Sequence, residues 1–89
     1  MLERELRVAN RLGLHARATA RLVQLLSGFR CDATLSAKGR EVNAKSIMGV
    51  MLLAAGQGTT VRLRLDGDDE AAAADAIAAL FERRFDEDD

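Results

Sequence analysis

The spacing of apolar residues along this chain of 89 residues switches repeatedly between a period of two and a period near 3.6, with glycine marking most of the switches. Leu2, Arg4, Leu6 and Val8 alternate with Glu3, Glu5 and Arg7, which reads as a half-buried strand. Gly13 breaks that pattern. Ala16, Ala18, Leu22, Leu25, Leu26 and Phe29 then recur at helical spacing, predicting a helix over 16–27 that Gly28 stops. Strands follow over 31–36 and 40–43, joined by a turn at Ala37-Lys38-Gly39. Ser46 is an N-cap residue type ahead of a short helix over 47–53, which Gly56 and Gly58 end. The next strand, 60–65, points Val61, Leu63 and Leu65 inward and Arg62 and Arg64 outward. After the turn at Asp66-Gly67, a last helix over 69–84 buries a stripe of Ala73, Ile77, Leu80, Phe81 and Phe85. Asp68, Asp69 and Glu70 at its start and Arg83 and Arg84 at its end complement the helix dipole. Asp86-Glu87-Asp88-Asp89 reads as a solvated acidic end. The order is βαββαβα, which predicts an α+β domain over residues 1–89 with helices on one face of a single sheet.

Composition narrows what such a domain can do. Alanine supplies 16 of the apolar residues, and there is no proline, tryptophan or tyrosine. The net charge of −1 excludes a uniformly basic nucleic-acid binder and a polyacid. It conceals a division: residues 1–64 carry 11 basic and four acidic residues, whereas residues 65–89 carry two basic and ten acidic. The first stretch is basic enough to attract an anion or an acidic partner. Cys31 and His15 are each the only residue of their type, so an intramolecular disulfide and a Cys/His zinc site are both excluded, and neither a metal nor a cofactor is expected. The N-terminus lacks the pattern of a signal peptide. No apolar run approaches the roughly 20 residues that span a bilayer, so a soluble cytoplasmic protein is expected.

Two segments could carry chemistry. His15 stands where the first loop meets the first helix, and Arg17 lies just inside the first turn. Free N–H groups and the helix dipole make such a junction an anion site, and an arginine there can bind phosphate through two parallel bonds. An imidazole at that point is a nucleophile beside a receptor for phosphate oxygens, and the dipole favours its neutral form. The bland reading is that His15 only caps the helix. No carboxylate lies near His15 in sequence, so a hydrolytic triad is not expected. The second segment, Ser46-Ile47-Met48-Gly49-Val50-Met51-Leu52-Leu53, has almost no polar face. Either it is a fully buried central helix, or some of Ile47, Met48, Met51 and Leu52 are exposed as a docking patch. Ser46 is correspondingly a plain N-cap or a site for a phosphate.

Both segments resemble the HPr family, the histidine-containing phosphocarriers of the bacterial phosphoenolpyruvate-dependent phosphotransferase system. Asn10-x-x-Gly13-Leu14-His15-Ala16-Arg17 is similar to the family's active-site signature, and Lys45-Ser46-Ile47-Met48-Gly49-Val50-Met51 to its regulatory-serine signature. The resemblance implies an open-faced β-sandwich, four antiparallel strands covered on one face by three helices. It implies that His15 accepts a phosphoryl group on Nδ1 from phosphorylated Enzyme I and passes it to an Enzyme IIA, with Arg17 pairing the phosphate. It further implies that Ser46 is a target of HPr kinase/phosphorylase. The implied partner surface comprises Ala16, Ala20, Arg21, Ile47, Met48, Met51 and Leu52, and the carrier is expected to be a monomer that binds neither nucleic acid nor membrane. Ala18 stands where the family usually has proline, and the ending around Phe85-Asp86-Glu87-Asp88 is similar to the nitrogen-related NPr branch. The alternatives are an NPr-type regulatory relay uncoupled from sugar uptake and a non-catalytic RNA- or ligand-binding α+β module.

Overall fold

The computed structural model describes residues 1–87. Strand β1 (Leu2–Arg7) leads to helix α1 (Ala16–Leu26), followed by β2 (Asp32–Ala37), β3 (Arg40–Asn43), α2 (Ile47–Leu52), β4 (Thr60–Asp66) and α3 (Glu70–Glu82). The βαββαβα order matches the sequence reading, with most boundaries displaced by a residue or two. The strands form one sheet in the order β1-β4-β2-β3, and all three pairings are antiparallel. The helices lie on one face, giving the open-faced sandwich expected.

Strand alternation decides which face that is. Leu6, Ala33, Leu35, Ala37, Val61, Leu63 and Leu65 are buried beneath the helices. On the opposite face, Glu3 pairs in register with Arg64 and Glu5 with Arg62. Arg64 also reaches Glu41 of β3 at 2.9 Å. Such exposed pairs contribute about 0–1 kcal/mol each, so they favour the register more than they hold the fold. From the other side, α1 buries Ala18, Leu22 and Leu26, and α3 buries Ala73, Ala74, Ile77, Leu80 and Phe81. The buried alanines explain part of the alanine excess: small side chains at a contact let a helix approach closely. None of the helices among the described residues is long and apolar enough to cross a membrane.

Three local details differ from expectation. The β2–β3 turn has two residues, not three: Ala37 stays in the ladder opposite Arg40, and Lys38 and Gly39 both have positive φ (54° and 76°). That is the geometry of a hairpin turn whose twist matches its strands. Helix α2 ends before its glycines, because Ala54 itself turns left-handed (φ 49°) and donates its N–H to the Met51 carbonyl at 3.1 Å. The hairpin then covers the freed carbonyls. Lys38 Nζ donates to Ala54 O at 2.9 Å and Arg40 Nη1 to Leu52 O at 3.2 Å.

The ends of α3 are the third detail. Asp69 makes no side-chain cap bond. Its two carboxylate oxygens instead accept from the Arg30 N–H at 2.8 Å and the Cys31 N–H at 3.0 Å, pinning the start of α3 to the chain entering β2. At the other end, α3 stops at Glu82, so Arg83 and Arg84 lie beyond its last turn and Phe85 beyond the helix altogether. Arg83 pairs with Asp86 at 3.0 Å, and Phe85 is nonetheless fully buried.

Two stability predictions follow from these contacts. An L-residue in the left-handed region costs about 1–2 kcal/mol, and glycine's extra chain entropy offsets about half of the relief. Ala54→Gly should therefore raise stability by about 0.5–1 kcal/mol, a few degrees in Tm for a chain of this size, and an unchanged or lower thermal midpoint contradicts the left-handed cap. The Arg30 N–H is the main influence on Asp69. It holds that carboxyl below its ordinary value of 3.8; desolvation opposes it, and the Cys31 N–H reinforces it. A depressed carboxylate stabilises the fold fully above the unfolded value and loses that contribution as pH falls through the folded one. Chemical denaturation should show Asp69→Asn less stable than wild type near neutral pH, with the gap narrowing below pH 3.8; a gap constant down to acid pH would contradict the clamp.

Candidate functional site

The loop before α1 is built around a buried amide. Asn10 is fully buried, accepts the Gly13 N–H on its backbone carbonyl at 3.2 Å, and donates from Nδ2 to the Gly13 carbonyl at 2.8 Å. Gly13 has φ 69°, and a Cβ there would come within 2.5 Å of the Ala55 carbonyl oxygen, so only glycine fits. Leu14 then donates its N–H to that same carbonyl at 2.9 Å and buries its side chain. These bonds fix the loop against the chain leaving α2, and they deliver His15 to the N-cap of α1.

His15 is extended (φ −79°, ψ −177°), and its carbonyl accepts the Thr19 N–H at 2.9 Å as the first bond of the helix. Its Nδ1 accepts the Arg17 N–H at 3.4 Å, a long bond at the mouth of the first helical turn. The ring lines an open depression with Arg11, Leu12, Ala16, Arg17, Arg21, Asp86 and Glu87. Three cationic and two acidic side chains and a helix N-terminus therefore share the depression with one imidazole. This arrangement suits charge neutralisation of an anion held at the ring more than enclosure of a small molecule.

Glu87 is where the structure departs most from the sequence reading. It is not part of a solvated tail. Its Oε2 meets His15 Nε2, and its Oε1 accepts from Asn10 Nδ2 at 3.0 Å. Its side chain is 11% exposed, against 29% for His15. Burial opposes ionisation of Glu87, but the hydrogen bonds from Asn10 and His15, with the charges of His15 and Arg21, hold the carboxyl below its usual range. Asp86 is exposed as expected, and it also pairs with Arg83. Asp88 and Asp89 lie outside the described residues. Sequence reasoning missed Glu87 because 72 residues separate it from His15. The one available hint was Phe85, an aromatic residue in an acidic tail that had to be buried somewhere.

The second segment settles toward exposure. Val50 and Leu53 point into the core, while Ile47, Met48, Met51 and Leu52 are 45%, 78%, 43% and 61% exposed. Leu12, which sequence reasoning did not single out, is 66% exposed and adds to the apolar surface beside His15. Ala16 and Ala20 are exposed on α1, and Arg21 is half-buried. Ser46 caps α2, its Oγ accepting the Gly49 N–H at 3.0 Å. His15, Ala16, Arg17 and Arg21 thus meet in one depression, whereas Ser46 and the α2 residues lie outside its lining, on a helix that packs against α1. All three phenylalanines sit in or against the core, and the open face of the sheet carries mostly charged and hydroxyl side chains. That face lacks the aromatic platform on which bases stack.

Comparison with known proteins bears on this arrangement. The family model described as "PTS HPr component phosphorylation site" matches residues 2–83. The chain is 68% identical over 88 residues to the phosphocarrier protein HPr of Xylella fastidiosa strain Temecula1, covering 99% of both chains. It is 42% identical over 86 residues to the phosphocarrier protein NPr of Shewanella violacea, covering 97% of this chain and 94% of that one. Among solved structures, HPr-C-His from Thermoanaerobacter tengcongensis superposes with a TM-score of 0.94 at 42% identity, covering 99% of each chain. A fold, a motif-bearing loop and a full-length likeness that all agree place the chain in the HPr family, the phosphocarriers of the phosphotransferase system.

Proposed function

We propose that His15 is the phosphoryl acceptor of this carrier, receiving the group from phosphorylated Enzyme I and delivering it to an Enzyme IIA. The observation that carries this reading is the placement of the ring. Nδ1 stands at the open end of α1, where first-turn N–H groups and the Arg17 side chain can meet three phosphate oxygens. A phosphoramidate must be handed on, so the ring needs exposure and a positioning surface more than a closed pocket. Both partners then have to recognise the same region. Ala16, Ala20 and Arg21 of α1 and Ile47, Met48, Met51 and Leu52 of α2 form that surface: apolar contacts for docking, and cations to attract acidic partners.

Ser46 is the regulatory position in this reading, a substrate of HPr kinase/phosphorylase. A phosphate there adds about −1.5 to −2 charge at the edge of the docking surface and repels an acidic Enzyme I. A second reading, an NPr-type relay serving regulation in place of sugar uptake, draws on the Shewanella violacea relative and on the acidic ending. The two differ in the acceptor: the carrier reading expects transfer to a sugar-type Enzyme IIA, the relay reading to a nitrogen-type one.

Incubation with Enzyme I, Mg²⁺ and phosphoenolpyruvate should yield one acid-labile, base-stable phosphoryl adduct. His15→Ala should abolish it, and labelling that persists in this variant sinks the assignment. Aspartate also caps helices, so Ser46→Asp should fold as wild type does. It should raise the KM of Enzyme I for the carrier by about tenfold at low salt and less at high salt, as expected for repulsion between exposed charges. A KM equal to that of Ser46→Ala at all ionic strengths would remove the charge argument.

A further inference from the structure

We infer that Glu87 is a positioning residue for His15, fixing the ring proton on Nε2 and so presenting Nδ1 unprotonated to the incoming phosphoryl group. The inference rests on the assignment of His15 as acceptor and goes beyond it.

Two contacts on opposite sides of the ring specify the same tautomer. An ionised carboxylate only accepts hydrogen bonds, so the nitrogen facing Glu87 Oε2, Nε2, carries the proton. The Arg17 N–H can only donate, so the nitrogen it faces, Nδ1, carries the lone pair. Glu87 is itself held from behind. The fully buried Asn10, whose other Nδ2 bond ties the loop at Gly13, donates to Oε1 at 3.0 Å.

The backbone that brings Glu87 back is unusual in the same direction. Arg84, Phe85 and Asp86 have φ of 55°, 56° and 59°, three consecutive left-handed residues with no glycine among them. Each such residue costs about 1–2 kcal/mol, so the reversal persists only because its surroundings impose it. Phe85 is the anchor, fully buried with its ring centroid 4.8 Å from that of Phe81. Arg21, one of the cations around His15, donates to the Phe85 carbonyl. The chain thus spends strain and a buried aromatic residue to seat a carboxylate on the far nitrogen of the ring.

The chemistry gives that seat a purpose. As Nδ1 attacks, its lone pair forms the new N–P bond. The bond from phosphorus to the donor breaks, and its electron pair stays with the donor. The ring keeps the Nε2 proton and becomes an imidazolium bearing the phosphoryl group on Nδ1. That positive charge appears against Glu87, which stabilises it. Arg17 and Arg21 in the same depression offset the repulsion between the carboxylate and the phosphoryl oxygens.

The test reads the ring before any transfer occurs. In the unphosphorylated wild type, ¹⁵N chemical shifts of His15 at a pH where the ring is neutral should show the Nε2–H tautomer. Glu87→Ala should give a mixture of tautomers and slow phosphorylation by Enzyme I by about tenfold, the low end of what losing a partner behind a working histidine costs. Glu87→Gln keeps an accepting oxygen but no charge; it should retain the tautomer and recover only part of the rate. A wild-type tautomer in Glu87→Ala overturns the inference, as does a slowed rate with the tautomer unchanged, which marks a merely structural role. If the wild type shows the Nε2–H tautomer yet takes no label on His15, the acceptor assignment fails and takes this inference with it. If labelling is normal and the tautomer differs, this inference alone fails.

Discussion

Everything in this molecule hangs on the burial of one face of β4. Val61, Leu63 and Leu65 are wholly inaccessible, and β4 is bonded on both sides, to β1 and to β2. Removing an apolar side chain of that size from water is worth about 1.5–3 kcal/mol. The three together are a large part of what can hold a chain this short. Because β4 lies inside the sheet, its partner strands inherit their inward faces from it through the register. Helices α1 and α3 then have one apolar surface to settle on, and the N-terminus of α1 is fixed by where its own stripe meets that surface. The position of His15 is therefore a consequence of core packing, with the Asn10–Gly13 loop making the last adjustment.

How much of this was legible beforehand depended on the range of the interaction. Alternation along β4, the helical spacing from Ala16 to Leu26, and the caps at His15 and Ser46 are properties of neighbouring residues, and they read correctly. For Ile47, Met48, Met51 and Leu52 the sequence leaves burial and exposure both open; the structure exposes them, because a helix of six residues cannot bury every side. What escaped was either long-range or contrary to local preference. Asp69 looked like a first-turn carboxylate but was drawn to the free N–H groups of Arg30 and Cys31, 39 and 38 residues earlier. Ala54 takes a conformation that glycine usually supplies, so the neighbouring Gly56 and Gly58 misled. Phe85 kept its expected burial but reached it by a turn that no helical period describes.

The division of charge between the two parts of the sequence also reads differently once folded. Arg4 meets Asp75 at 3.3 Å, and the N-terminal amine meets Glu70 at 3.3 Å. Glu87 sits on His15, in a depression that three arginines also line. The acidic C-terminal stretch is thus partly folded onto the basic one. The arginines around His15 lie beside the exposed side chain of Leu12, and the exposed apolar residues of α2 are on the helix that packs against α1.

The return of the chain to His15 has a practical side. Glu87 touches the ring, so a probe attached at Glu87 sits beside His15. The start of β1 is placed differently. Leu2 pairs with Leu65 at one end of the sheet, whereas Arg7, which leads into the His15 loop, pairs with Thr60 at the other. A probe attached at Leu2 therefore lies across the length of β1 from the ring. For this carrier, the choice of which position to label is a choice about whether the surroundings of His15 are disturbed.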